Sequence, residues 1–179
     1  IAQQLSAASA FVVPNMGLAE LRREAIGTDD FLRASLPESV AARLGESSQR
    51  LLKANREEAR EAELRASFGH LLDANVDIVL GTDAGAVPDH FFGYTGHREL
   101  EIFVRLGMTP MQAIVAATSK PAQRLGLDDL GLLQPGYSAD LVVLDENPLN
   151  NIRNTRSISL VFLNGKMLDR AGLAADFTQ

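Results

Sequence analysis

The sequence contains no cysteine. Disulfides and thiolate metal sites are therefore excluded, while the redox compartment stays open, because a core of ordinary size needs no covalent staples. No basic excess is present either. The formal net charge of −6 argues against a nucleic-acid partner, which would favour a basic face. No apolar run approaches the roughly 20 residues of a membrane span. The amino end, IAQQLSAASAFVV, lacks both an initiator methionine and a basic n-region. It does not read as a signal peptide, and a start at Ile1 reads as a chain entered partway through. The expectation is a soluble protein, cytoplasmic or periplasmic. Internal repeats, a Ser-His-Asp arrangement, a nucleophile elbow and a phosphate-cradling glycine motif are all missing. What is present is 179 residues with 46 % hydrophobic content, enough for one domain or one domain with a small appendage.

Phe11 to Val13 is a short β-prone run stopped by Pro14. Residues 15–40, punctuated by Gly27, Asp29, Asp30 and Pro37, fit short helices and loop. From Glu46 to Ala74 a long helical pattern runs, with Leu51, Leu52, Ala59, Ala62, Ala66 and Leu71 spaced for one face. Glu61 and Arg65 form a favourable i,i+4 pair, and the alternating charges from Arg56 to Arg65 read as a solvated face. Asn75 ends that helix, and Val76 to Leu80 forms a buried strand. Helix, turn and strand in this order make one unit of a parallel α/β sheet. A loop follows over 86–96, then a helix from His97 to Leu106 closed by Gly107. Thr109, Pro110 and Gln112 form a capping box with proline at the first helical position. A last short helix is expected over Pro121 to Leu125. After Gly126 the texture turns to strands, Leu141 to Leu144 and Ser159 to Leu163, with Asn164-Gly165 as a hairpin turn before Lys166 to Leu168. A boundary is placed near residue 130, giving domains of 1–130 and 131–179.

The densest chemical signal is IVLGTD, residues 78–83, followed by Ala84 and Gly85. An apolar strand here delivers one carboxylate, Asp83, to the C-terminal edge of the sheet, where parallel α/β folds bind ligands. A carboxylate so placed needs a cation or donors. A metal with its bound water is one solution; backbone amides at a turn or helix cap are the other. His90 and His97 lie seven residues apart, flanking GYTG. With Asp83 they could complete a two-histidine, one-carboxylate metal site. Alternatively they contact substrate or support the site from behind, and His97 can simply cap the helix it opens. His70, within the helical run, reads as a packing or surface residue. Asp140 and Asp145 read as turn or edge acids.

Taken together, GTDAG, HRELEIFVRLGMTPMQAIVAAT (97–118) and LQPGYSADLVVLDENPL (133–149) resemble the C-terminal portion of the metal-dependent amidohydrolase superfamily, in its imidazolonepropionase- and prolidase-like branch. The resemblance covers about residues 68–168, with FVVPNM (11–16) a weaker match to the seventh barrel strand. It implies an α/β fold: the last strands and helices of a (β/α)₈ barrel over 1–130, then part of a companion β-sandwich over 131–179. It also implies that Asp83 ends the eighth strand, binds a divalent metal, usually zinc, and takes the proton of the attacking water. The reaction implied is hydrolysis of an amide-type C–N bond in a small-molecule, dipeptide-like or cyclic substrate.

The same resemblance exposes a gap. The family's His-x-His motif is absent, since no two of the three histidines are two apart. Its bridging lysine and further histidines would lie upstream of Ile1. The chain is thus expected to be inactive in isolation, to hold no metal on its own, and to need the missing N-terminal part or self-association to cover its strand edges. Two other readings stand beside this one: a non-catalytic structural or interaction module that keeps the fold, and a small independent metalloenzyme built on Asp83, His90 and His97.

Overall fold

The computed structural model describes residues 1–17, 26–47 and 54–177, without the side chains of 45–47, 54–59 and 177. Helix α1 (Ala2–Ala7) leads into strand β1 (Phe11–Val12). A 3₁₀ turn (Ile26–Thr28) precedes helices α2 (Asp30–Arg33) and α3 (Glu38–Ser47). Helix α4 (Ala54–Asp73) follows, then strand β2 (Asp77–Ile78). The expected helix over 46–74 thus corresponds to the end of α3 and to α4. Leu51 and Leu52 lie outside the described residues.

Asn75, at φ 51°, turns the chain out of α4 while its amide and that of Val76 satisfy the Leu72 and Leu71 carbonyls. The left-handed exit suits asparagine. Strands β1 and β2 are parallel, pairing Phe11 with Asp77 and Val12 with Ile78. Val79 extends the pairing through its amide to the Val12 carbonyl (2.9 Å), but the Leu80 amide bonds to Ala116 at a helix end instead. The ladder is therefore shorter than the expected run of 76–80.

Helix α5 spans Tyr94–Leu106. It begins three residues before His97, so GYTG contributes the helix's first turn rather than a separate one. His97 does not open or cap the helix, because Gly93 occupies the cap position. At the other end, Gly107 adopts φ 126°, open to a residue without a Cβ. Helix α6 (Pro110–Ala117) has the expected capping box: the Thr109 hydroxyl accepts from the Gln112 amide (3.2 Å), and the Gln112 side chain accepts from the Thr109 amide (2.8 Å). Helix α7 (Ser119–Leu125) starts two residues earlier than expected.

The main core is built by α4, β2, α5 and α6. Phe68, Ile78, Leu100, Ile102, Phe103, Leu106, Met108, Ala113 and Ala116 are buried together, and the Phe68 and Phe103 rings lie 5.4 Å apart. Ile152 joins them from the far side of residue 130. A smaller cluster gathers Ile26, Leu32, Leu44 and Tyr94. At the start of β2, Asp77 pairs with Lys120 and Arg124, tying the strand to α7.

Strands β3 (Leu141–Leu144), β4 (Ile158–Leu163) and β5 (Lys166–Met167) form an antiparallel sheet in that order. A 3₁₀ segment, Ile152–Arg156, lies between β3 and β4, and helix α8 (Arg170–Phe177) follows β5. Asn164 and Gly165, at φ 50° and 74°, make the expected tight hairpin. Asp140 serves that hairpin by accepting from the Asn164 amide (2.6 Å) and the Ser138 hydroxyl (3.0 Å). No described helix is long and apolar enough to cross a membrane. The fold is a mixed α/β arrangement, with the parallel strand pair delivering both chain exits to one edge.

Candidate active site at the end of β2

After β2 the chain passes hard against the exit of β1. A Cβ on Gly81 would lie 2.3 Å from Val13 Cγ1 and 2.7 Å from Asn15 Oδ1, so only glycine fits the gap. Two residues later Asp83 stands exposed, at φ 53°. Aspartate, like asparagine, enters this left-handed region more readily than other side-chain-bearing residues, and here its backbone contacts hold it there. The hydrogen bonds at Asp83 run through its backbone: the carbonyl accepts from the Ala86 amide (3.2 Å) and from His90 Nδ1 (3.0 Å). None of them engages the carboxylate. The neighbouring Ala84 amide is taken by the Thr82 hydroxyl (3.2 Å).

His90 is only 3 % exposed. Because a carbonyl can only accept, Nδ1 carries the proton in this contact. Nε2 has no hydrogen-bond partner among the described residues. His90 therefore meets Asp83 through the backbone and not through the carboxylate. His97 is turned to a different neighbourhood, where Nδ1 lies 2.9 Å from Thr155 Oγ1 and the ring stands edge-on to Phe31. The Thr155 hydroxyl spends its own proton on the Ile152 carbonyl (2.9 Å), so the imidazole donates. Burial first, then the Arg156 charge, hold His97 below its ordinary pKa. His70 is exposed near the end of α4. Among the described residues, no group of three or more His, Cys, Asp or Glu side chains could hold a metal ion.

Two features escaped the sequence reading. Glu99 is fully buried and accepts from the amides of Met16 (2.7 Å) and Gly17 (2.6 Å), gripping the exit of β1 from α5. An acid at the second turn of an amphipathic helix carries no local sign that it will be buried. The second feature is Arg156, whose guanidinium reaches Asp29 (2.7 Å) and Glu101 and lies over the Phe31 and Tyr94 rings at 5.6 and 5.3 Å. Burial alone would raise the pKa of Asp29, but the Arg156 hydrogen bond, the Leu32 amide, the Arg156 charge and the Tyr94 hydroxyl outweigh it and hold it low. Tyr94 is pushed up by burial and by Asp29. Arg98 and Arg153 also pair with Glu101. With cations and carboxylates interleaved in this way, the cluster joins chain segments rather than offering one sign of charge to a ligand.

Residues 32–168 match the model of the Amidohydrolase family. The chain belongs to that family. Its members generally use divalent metal ions. Ochratoxinase of Aspergillus niger is 34 % identical over 119 residues, covering 63 % of this chain and 23 % of the relative. An imidazolonepropionase of Cutibacterium acnes is 44 % identical over 75 residues, 41 % of this chain and 18 % of that one. A solved Xaa-Pro dipeptidase with bound methionine in the active site superposes with a TM-score of 0.64 at 26 % identity, over 93 % of this chain and 36 % of that structure. The imidazolonepropionase and the Xaa-Pro dipeptidase agree with the imidazolonepropionase- and prolidase-like branch. The chain spans less than a quarter of the length of the curated relatives it matches.

Proposed function

We propose that this chain is the closing part of a hydrolase that cleaves amide-type C–N bonds, with Asp83 as its proton acceptor. The observation that carries the reading is the exposed Asp83 carboxylate at the β2 exit, with its backbone held and its oxygens left out of the turn's hydrogen bonds. A turn or cap aspartate would spend those oxygens on amides. Asp83 at an open sheet edge can instead take a proton from water as the water attacks a carbonyl. In this reading β1 and β2 are the last two strands of a (β/α)₈ barrel, residues 1–130 belong to that barrel, and 131–179 to a companion β-sandwich. The substrates are small molecules of dipeptide-like or cyclic amide type.

A catalytic zinc typically takes three protein ligands. The described residues do not fit such an ion as a set; Asp83 is one carboxylate, not a site. In this reading zinc or another divalent ion takes its remaining ligands from outside the described residues, from an N-terminal portion or a second molecule. His90 and His97 act as supporting or substrate-side residues in this scheme.

The test is Asp83→Asn in the assembled enzyme, which keeps the side chain's size and removes its basic oxygen. Turnover should fall by at least about 10²-fold with folding nearly intact. The isolated chain, dialysed against zinc and offered amide and lactone substrates, should show neither turnover nor stoichiometric metal. Near wild-type turnover by assembled Asp83→Asn would make Asp83 a structural residue and end this assignment.

A further inference from the structure

The β2 exit holds a buried histidine that the proposed chemistry does not consume. Asp83 and His90 are the two ends of a closed loop. The His90 ring donates from Nδ1 to the Asp83 carbonyl (3.0 Å), and the His90 carbonyl accepts from the Gly85 amide (2.9 Å). The Ala86 amide also reaches the Asp83 carbonyl (3.2 Å), and the His90 amide reaches Val87 (3.3 Å). The exposed acid is thus anchored by a residue that is itself 3 % exposed. Beneath the ring lies Gly17, just past β1. A Cβ there would sit 3.5 Å from His90 Nε2 and 3.1 Å from Glu99 Oε2. Glu99 in turn holds the amides of Met16 and Gly17. The exits of both strands are therefore gripped from the same buried layer, one by Glu99 and one by His90.

We propose that His90 is a positioning residue for Asp83. Its Nδ1–H holds the Asp83 carbonyl, fixes the left-handed turn and so sets where the carboxylate stands. The inference rests on the reading of Asp83 as proton acceptor. Reach of the reacting proton is a matter of tenths of an ångström, so a turn released at its anchor misplaces the acid without removing it. Nδ1 is the atom that matters here; Nε2 faces Gly17.

Three substitutions separate the two ring nitrogens. His90→Asn keeps an N–H donor near the Nδ1 position, His90→Gln moves the amide toward the Nε2 position, and His90→Phe keeps a ring with no donor. In the assembled enzyme, Gln and Phe should lower kcat by about 10- to 100-fold with KM changed little, and Asn should restore most of it. Hydrogen exchange at the Gly85 and Ala86 amides should quicken in Gln and Phe and stay slow in Asn. Activity kept by Gln and lost by Asn would overturn the proposal, placing the function at Nε2. Equal losses in all three, with equal exchange, would also overturn it, since His90 would then be packing alone. The exchange measurement does not depend on Asp83 accepting a proton. If Asp83→Asn kept full turnover, the catalytic reading would fail while exchange still decided whether His90 holds the turn. Should Phe fail to fold, the Asn and Gln pair still decides.

Discussion

His97 donates to Thr155, meets Phe31 edge-on and lies near the Arg156 guanidinium, so protonating its ring adds a cation beside a cation in a largely buried space. Burial and that charge keep its folded pKa below the ordinary 6.5. Well above pH 6.5 the ring is neutral in the folded and unfolded chains alike, and it makes no difference to pH dependence. As pH falls below 6.5 the unfolded chain takes up the proton first, so stability drops until the folded pKa is passed and the loss is complete. His97→Asn should flatten the fall in thermal midpoint between pH 7.5 and 5.5; an unchanged slope would show that another group titrates there. The sequence marked His97 as a chemical residue but assigned it to the start of a helix. The reason for the difference is three residues of α5, Tyr94 to Gly96, whose glycine and aromatic content reads locally as a turn. Glu99 and Arg156 were not legible at all, because what buries them is sequence-distant: Met16 and Gly17 for one, Asp29 and Glu101 for the other.

Between elements, long-range polar contacts do the joining. The 3₁₀ segment Ile152–Arg156 sends Ile152 into the main core and Arg156 to the Asp29 cap of α2 and to Glu101 on α5. With Arg156 at 9 % side-chain exposure and its two acids at 13 % and 12 %, this is an ion pair of the buried kind, for which losing one partner is far worse than never having had either. Asp29 would keep Leu32 and Tyr94, and Glu101 would keep Arg98, which softens the loss. Arg156→Met should therefore cost about 3 kcal/mol, read from denaturant midpoints. Arg156→Lys should recover only part, since one ammonium cannot fork to two carboxylates. A cost below about 1 kcal/mol for Met would mean the cluster is a surface pair. The capping box at Thr109 and the Asn164-Gly165 hairpin were legible because their causes are local and chemical. Strand lengths were not, since a ladder ends where its partner ends, as β2 does when Leu80 bonds to Ala116.

At the scale of the molecule, the parallel sheet among the described residues is a single pair of strands. Its surroundings leave apolar side chains in water: Ile1 is 94 % exposed, and Phe11 and Val13 are each 43 % exposed. The antiparallel sheet likewise exposes Val142, Val143, Leu160, Leu163 and Met167. An isolated apolar side chain at a surface is ordinary, but rows of them along strands are faces that need cover. Backbone groups at the strand edges add a second demand, because an open edge templates pairing with another chain. Burying such a face recovers about 25 cal/mol per Å² of apolar area, which over several side chains exceeds the entropy of holding two chains together only if the match is good. The isolated chain is therefore expected to associate, either with itself or with another chain that covers these faces. Light scattering at micromolar concentration should give a mass above 19.3 kDa, and Val143→Lys with Leu160→Lys, which pair across β3 and β4 on one side of the sheet, should lower it by disrupting that apolar face. If the chain ran as a cooperative monomer of 19.3 kDa, these faces would be stable in water, and the need for a partner would be refuted.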